Sequence, residues 1–268
     1  MQKMIRMTIL QGIAFACMFL LAWLALSQVN WVDLLKIESN RKKLEEKLGK
    51  IFLETFMHDN QVNDRCITGP IDSMVQVILD RNELHGFPVK IYILRNDEVN
   101  AFALPGNQII VFTGIIKSAD SPEELCGVLC HELAHIEKGH VMKKLIKEIG
   151  LNALISMATS GAGPDLLQKT AGLISSTAYD RNLETEADLR AAELLDKAKI
   201  DPRPFAGFLT RVIAEEGNNP ALMPWINTHP DSERRAHDIL VHAGQNASDY
   251  HKPLSDQIWK EIKELVTK

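Results

Sequence analysis

Aromatic residues and surplus positive charge are both scarce in this chain. Phe, Trp and Tyr make up 6% of its 268 residues, and the formal net charge is −5. A nucleic-acid-binding surface needs clustered Lys and Arg, usually with aromatic side chains that stack on bases. We therefore expect no nucleic-acid partner. Internal repeats and low-complexity segments are also missing, and a hydrophobic fraction of 46% is typical of a packed globular domain.

Cysteine is too sparse for a disulfide framework. The four cysteines are Cys17, Cys66, Cys126 and Cys130, and their positions follow no zinc-knuckle spacing. We interpret Cys126 and Cys130, one helical turn apart, as small core residues.

Charged residues are absent from one long stretch near the amino terminus. None lies between Arg6 and Asp33, and residues 9–26 are almost wholly apolar. About 20 apolar residues span a bilayer, whereas the apolar part of a signal peptide usually has about 7–15, so the length favours an uncleaved signal anchor. The alternatives are a signal peptide cleaved near residues 25–27 and a buried core helix. With Lys3 and Arg6 kept inside, the rest of the chain would lie on the periplasmic side of the cell membrane.

The remaining sequence is mainly helical in pattern, with one cluster of short strands. We assign residues 1–32 to the signal anchor or signal peptide, 33–65 to an amphipathic linker helix, 66–250 to the principal domain and 251–268 to a carboxyl-terminal helix.

Three runs rich in β-branched residues predict the strands. Residues 89–94, 99–104 and 108–113 are separated by turn residues, which favours a small antiparallel sheet. Ser121 and Pro122 then have the marks of a helix start, and that helix continues to about Lys138. The predicted fold class is α+β, mainly helical, with the sheet packed beside this helix.

The helix that starts at Ser121 carries the sequence His131-Glu-Leu-Ala-His135. Successive residues of a helix are rotated by about 100°, so His131 and His135 lie on one face and can reach a single ion. Glu132 lies beside that ion, where it can take a proton from the attacking water and return it to a leaving amine. A solvated His–Glu pair is the alternative. The motif lies among apolar residues in mid-helix, and it predicts one zinc ion per chain with Glu132 as the catalytic base.

A catalytic zinc ion takes three protein ligands and keeps one position open. His140 is the nearest candidate for the third ligand, but on a continued helix it would point roughly away from His131 and His135, and we interpret it as structural. Glu184 and Asp188 fall within or beside the apolar face of a predicted helix over residues 182–198.

A carboxylate that faces the core is unfavourable unless it is paired or bound to a metal. We therefore predict that Glu184 is the third zinc ligand. Asp188, one turn further on, could accept the second N–H of a ligand histidine. An ordinary charged helix with a partly buried rim is the alternative.

Four sequence blocks resemble the gluzincin metallopeptidases of the family that contains the CaaX prenyl proteases, HtpX and the BepA- and LoiP-type envelope proteases. The blocks are residues 100–106 with 109–116, residues 131–135, residues 184–188, and Thr228-His-Pro230 with Arg235. The resemblance covers about residues 66–245. It implies a zincin-like catalytic domain in which Glu184 binds zinc and Asp188 supports the site.

The resemblance also implies that a strand beside the cleft pairs with an extended peptide, with a purely scaffolding strand as the alternative. The candidates for backbone contacts are Asn100, Ala101, Phe102 and Ala103. His229 or Arg235 is expected near the metal or the developing oxyanion. An Arg235 that only pairs with an acidic group is the other interpretation.

The sequence as a whole predicts a membrane-anchored or exported zinc metalloendopeptidase. Its expected substrates are unfolded or misassembled envelope proteins, as in protein quality control. A zinc-containing chaperone-like or binding module with little proteolysis is the alternative. Glu132 argues against that alternative, because a binding module needs no proton acceptor beside the ion.

Overall fold

The structure is a computed structural model that describes residues 37–57, 60–215, 218–230, 232–243 and 249–268, together with Met18. The predicted membrane anchor, apart from Met18, lies outside the described residues. Among the helices of these described ranges, none is both long enough and apolar enough to cross a membrane. The chain divides into two compact units, residues 1–44 and 45–268. The second unit contains the sheet and the candidate site.

The elements follow one another as helices, a short β-region and more helices. Helices α1 and α2 span Ile37–Met57 and Arg65–Arg81, and strands β1, β2 and β3 span Lys90–Leu94, Ala101–Leu104 and Gln108–Phe112. The helices that follow are α3 (Thr113–Ser118), α4 (Pro122–Glu137), α5 (His140–Ile149), α6 (Leu151–Ser160), α7 (Pro164–Ser176), α8 (Arg181–Lys197) and α9 (Arg203–Ala214). A 3₁₀ turn (Pro220–Leu222) precedes α10 (Met223–Thr228), α11 (Ser232–Ala243) and α12 (Asp256–Thr267).

The three strands form a mixed sheet in the order β1-β3-β2. Strands β2 and β3 are an antiparallel hairpin, with Leu104 opposite Gln108, whereas β1 and β3 run parallel. The prediction of a wholly antiparallel sheet is therefore wrong for β1. The loop after β1 crosses the end of β3, where the backbone N–H of Gly114 donates to the carbonyl of Asn96 over 2.8 Å. This crossing places β2 on the side of β3 opposite to β1. The alternation of apolar and polar residues along each strand does not encode that strand order.

Helix α4 lies at the centre of the second unit. Its start is the predicted one: the Ser121 hydroxyl accepts from the backbone N–H of Glu124, and Pro122 occupies the first turn. Helices α8 and α9 pack along α4, and β2 and β3 lie beside it. At Gly127 a Cβ would come within 2.3 Å of the Phe205 side chain, so only glycine permits the close approach of α9.

The predicted fold class is confirmed at this level: the chain is mainly helical α+β, with a small sheet beside the helix that carries the motif. Residues on the inner face of α4 are buried almost completely, and the apolar core continues into α2, α9 and the sheet. The helix that carries the motif therefore lies within the packed core.

Candidate metal centre

Helix α4 holds His131 and His135 on one buried face. Both imidazoles are fully buried, and their Nε2 atoms are 3.0 Å apart. This pairing follows directly from the spacing of four residues on a helix, as the sequence predicted. Two ring nitrogens of separate side chains are thereby aimed at one point.

Helix α8 brings Glu184 to the same point. Its carboxylate oxygens lie 3.6 Å from His131 Nε2 and 3.2 Å from His135 Nε2, and the side chain is 1% exposed. The apolar face of α8 packs on α4, so a carboxylate within that face has to lie against the histidines. The structure therefore brings residues 131, 135 and 184 together.

A fourth donor comes from the segment after α10. His229 Nδ1 lies 3.2 Å from His131 Nε2 and 3.2 Å from the nearer oxygen of Glu184. One ligand atom from each of His131, His135, Glu184 and His229 falls within 4.8 Å of the others, and all four residues are buried. His229 thus belongs to the cluster itself, which the sequence left open.

The cluster fits a zinc ion. Nitrogen and carboxylate donors lie about 2.0–2.2 Å from zinc, so donors at the corners of a tetrahedron are about 3.3–3.6 Å apart. Five of the six residue pairs have donor atoms 3.0–3.6 Å apart, and all four donor atoms lie within 4.8 Å of one another. Three imidazoles and one carboxylate are also the donor types that zinc prefers.

Asp188 holds one of these imidazoles in place. Its Oδ1 is 2.9 Å from His131 Nδ1, so that ring nitrogen carries the proton and Nε2 keeps its lone pair for the cluster. Burial opposes the charged form of His131, but the carboxylates of Asp188 and Glu184 outweigh burial and raise its pKa. Asp188 lies where the sequence predicted, next to a histidine of the motif.

Arg235 neutralises the two buried acids. Its guanidinium contacts Asp188 with Nε–Oδ2 at 2.5 Å and Nη2–Oδ1 at 2.8 Å, and Nη1 is 2.7 Å from Glu184 Oε2. Nη1 also donates to the carbonyl of His229 over 3.0 Å. Despite complete burial, the two carboxylates raise the pKa of Arg235. Arg235 thus pairs with both acidic groups and, through Glu184, lies beside the donor cluster.

Glu132 lies beside the donor cluster and is shielded from solvent. The side chain is fully buried, and its Oε1 is 3.5 Å from His229 Nε2. Burial raises the pKa of Glu132 to about 7, although the charge of His131 and the backbone N–H of Ala103 act in the opposite direction. A carboxyl with a pKa near neutrality can accept and release a proton at physiological pH.

The sequence missed two buried neighbours of the cluster. The Tyr179 ring stacks on His135, with ring centroids 3.9 Å apart and planes 17° from parallel. Lys144 Nζ lies 4.4 Å from the centre of the same ring and donates to the carbonyls of Ile174 and Thr177. Burial lowers the pKa of Lys144 to about 8. Neither residue belongs to a motif, so only the packing of α5 and α7 reveals them.

The candidate substrate strand is covered. The strand Ala101–Leu104 is β2, an edge strand, but all four of its residues are buried. Helix α7 packs against it, and Asn100 Nδ2 donates to the carbonyl of Ser175 over 3.2 Å. A peptide that paired with this edge would first have to displace α7.

Comparison with known proteins agrees with this geometry. The sequence profile of peptidase family M48 matches residues 68–242, well over half of the chain. The chain is 30% identical over 155 residues to mitochondrial metalloendopeptidase OMA1 of Arabidopsis thaliana, a match that covers 58% of this chain and 32% of that protein. It is 25% identical over 200 residues to the beta-barrel assembly-enhancing protease of Escherichia coli (strain K12), which covers 69% and 40% respectively.

The chain therefore spans less than half the length of these relatives. The family match nevertheless includes the motif of α4, the acidic residues of α8 and His229. The predicted enzyme class and cofactor are confirmed at the level of the family. This chain belongs to peptidase family M48, a family of zinc metallopeptidases.

Proposed function

We propose that this chain is a zinc metalloendopeptidase that is anchored in or exported across the cell membrane and hydrolyses peptide bonds in unfolded or misassembled envelope proteins. In this proposal His131, His135 and Glu184 bind the zinc ion, and Glu132 is the catalytic base. The observation that carries the proposal is the convergence of these donors in a buried cluster with Glu132 beside it.

Bound zinc supplies a Lewis acid that polarises a peptide carbonyl and lowers the pKa of water. Glu132 then has the task of accepting a proton from the attacking water and delivering it to the leaving amine. Burial raises the pKa of Glu132, which favours uptake of a proton by this carboxylate. Its burial excludes competing water from the proton transfer.

His229 bears on whether the cluster is a catalytic or a structural zinc site. A catalytic zinc site needs an open position, whereas four protein donors are typical of a structural site. His229 Nδ1 supplies such a fourth donor. Without His229 the cluster would hold the ion with three donors, and His229, whose Nε2 is 3.5 Å from Glu132 Oε1, would be placed to donate to the developing oxyanion.

An extended peptide is the substrate form that the site supports best. Strand β2 is an edge strand beside α4, and its backbone is available for pairing once α7 moves away. Pairing through main-chain groups binds peptides with little dependence on their sequence. Such binding favours unfolded chains, because a folded protein cannot present an extended segment.

The cellular setting of the proposal rests on two supports. The apolar stretch of residues 9–26 is long enough to cross a bilayer, and we assign residues 1–32 to the anchor. One relative is named for enhancing β-barrel assembly, and another is named as a mitochondrial enzyme. Both names are compatible with proteolysis at or near a membrane.

The test compares the full chain with two variants. Glu132→Gln should keep one zinc ion per chain and lose cleavage of an unfolded test protein such as casein. Glu184→Gln should bind zinc markedly more weakly, as measured by metal analysis after dialysis against a chelator, because a neutral amide is a much poorer ligand than a carboxylate and the three remaining histidines carry no negative charge. Glu54→Gln, on the exposed side of α1, is the matched control and should change neither property.

The same experiment separates the two candidate functions. Full cleavage by Glu132→Gln would refute its role as base. A wild-type chain that binds zinc and suppresses aggregation of an unfolded protein, but cleaves nothing with or without a chelator, would favour the chaperone-like alternative.

A further inference from the structure

His140 lies against the candidate site rather than away from it. Helix α4 ends at Glu137 with Lys138 as its C-cap, Gly139 adopts a left-handed conformation (φ +67°), and α5 begins at His140. This break turns the chain back, so His140 is fully buried with its Nδ1 3.0 Å from His135 Nδ1. The sequence-based interpretation of His140 as a structural residue that points away from the motif assumed a continuous helix.

The contact between His140 and Glu186 shows which ring nitrogens of the two histidines carry a hydrogen. His140 Nε2 lies 3.3 Å from Glu186 Oε2, and Glu186 is held ionised by Lys138, whose Nζ is 3.3 Å from the other oxygen. An ionised carboxylate only accepts hydrogen bonds, so His140 Nε2 carries the proton. Only one of two ring nitrogens in contact can carry the hydrogen between them, so a His140 ring with its N–H at Nε2 presents Nδ1 as an acceptor.

Because His140 Nδ1 is an acceptor, it determines which ring nitrogen of His135 carries the hydrogen. His135 Nδ1 must donate the hydrogen of the 3.0 Å contact, so His135 Nε2 carries no proton and points its lone pair at the donor cluster. Asp188 imposes the same state on His131. A proton on either Nε2 would lie between two nitrogens 3.0 Å apart and would exclude a metal ion from the cluster.

We propose that His140 and Glu186 are positioning residues that fix His135 in the tautomer and ring orientation required to bind zinc. His135 is held on two sides: Tyr179 stacks on its face, and His140 binds its edge. Rotation of the ring would break both contacts. This inference rests on the proposed ligand set, in which His135 binds the ion.

The experiment measures zinc affinity of the full chain by competition with a chelator, with cobalt absorption as a second readout of ligand geometry. His140→Leu keeps the volume but removes the acceptor, and it should weaken zinc binding by about 10–100-fold. His140→Asn places a carbonyl oxygen near the position of Nδ1 and should restore affinity to within about threefold of wild type. If His140 had a purely structural role, zinc affinity would not depend on whether the new side chain offers a hydrogen-bond acceptor.

Glu186→Ala is the second variant, because this half-exposed residue can be replaced without disturbing the core. It should weaken zinc binding by about three- to tenfold. Glu193→Ala, which removes an exposed acid that pairs with Arg190 two turns further along α8, is the matched control and should stay within about twofold. Thermal melting of the zinc-free proteins checks that each variant folds.

Unchanged zinc affinity and cobalt spectrum in both His140→Leu and Glu186→Ala would overturn the inference. If His140→Leu does not fold, wild-type affinity in Glu186→Ala alone would overturn it. If the proposed ligand set itself is wrong, the result is different: Glu184→Gln would then keep full zinc affinity as well as His140→Leu and Glu186→Ala. Weakened zinc binding in Glu184→Gln without any effect in the other two variants would refute only the roles of His140 and Glu186.

Discussion

The buried carboxyl of Glu132 should destabilise the zinc-free protein at alkaline pH. Burial raises its pKa from the ordinary value of 4.5 to about 7 in the folded state. The folded protein therefore holds this proton more tightly than the unfolded chain, and stability falls as the pH rises from about 4.5 through 7. The full effect, at about 1.4 kcal/mol per pKa unit, is about 3 kcal/mol.

Glu132→Gln removes this titration while keeping the shape of the side chain. We expect the zinc-free variant to be more stable than zinc-free wild type by about 3 kcal/mol at pH 8 and by less than about 1 kcal/mol at pH 5. Urea denaturation of the full chain at a series of pH values, in the presence of a chelator, measures the difference. Glu54→Gln, the same substitution at an exposed position, is the control. An equal difference at pH 5 and pH 8 would refute the reasoning.

Three further predictions concern the neighbours of Glu132. Arg235→Met should lower the free energy of unfolding of the zinc-free protein by about 3–5 kcal/mol in chemical denaturation, because the buried carboxylates of Asp188 and Glu184 lose their cation. A decrease of less than about 1 kcal/mol would contradict this. His229→Ala should keep close to one zinc per chain in metal analysis, since three ligands remain; a metal-free variant would make His229 essential for binding. Lys144→Met should speed amide hydrogen exchange in α7 by about tenfold or more, with α12 unchanged, because two charge-assisted hydrogen bonds to the end of α7 are lost. Equal exchange rates would mean that Lys144 does not hold α7.

The core of the candidate site could be predicted from the sequence because local rules govern it. The rotation per residue of a helix sets His131 and His135 on one face, whatever surrounds them. The preference of apolar faces for the core likewise marks Glu184 and Asp188 as acids that need a partner inside. These two arguments use only the period of a helix and the unfavourable burial of charge. The start of α4 at Ser121 is equally local, since it depends on one hydroxyl and one backbone N–H.

The position of His140 shows where such reasoning stops being sufficient. Gly139 after Lys138 is a recognisable helix-ending signal, because glycine adopts positive φ at little steric cost. That signal predicts a break, but it does not say in which direction the next helix leaves. The direction is decided by the packing of α5 against α4 and α7. Only then does His140 meet His135 and Glu186.

The sequence by itself determined the helical motif, the acidic residues of α8 and the mainly helical α+β class, because each follows from periodicity and burial within a single element. Tertiary structure alone decided the parallel pairing of β1, the approach of His229 to the cluster, the stacking of Tyr179 on His135 and the cover of α7 over β2. These features join residues from separate elements. Their geometry depends on how whole helices and strands pack, and no local pattern in the chain records that.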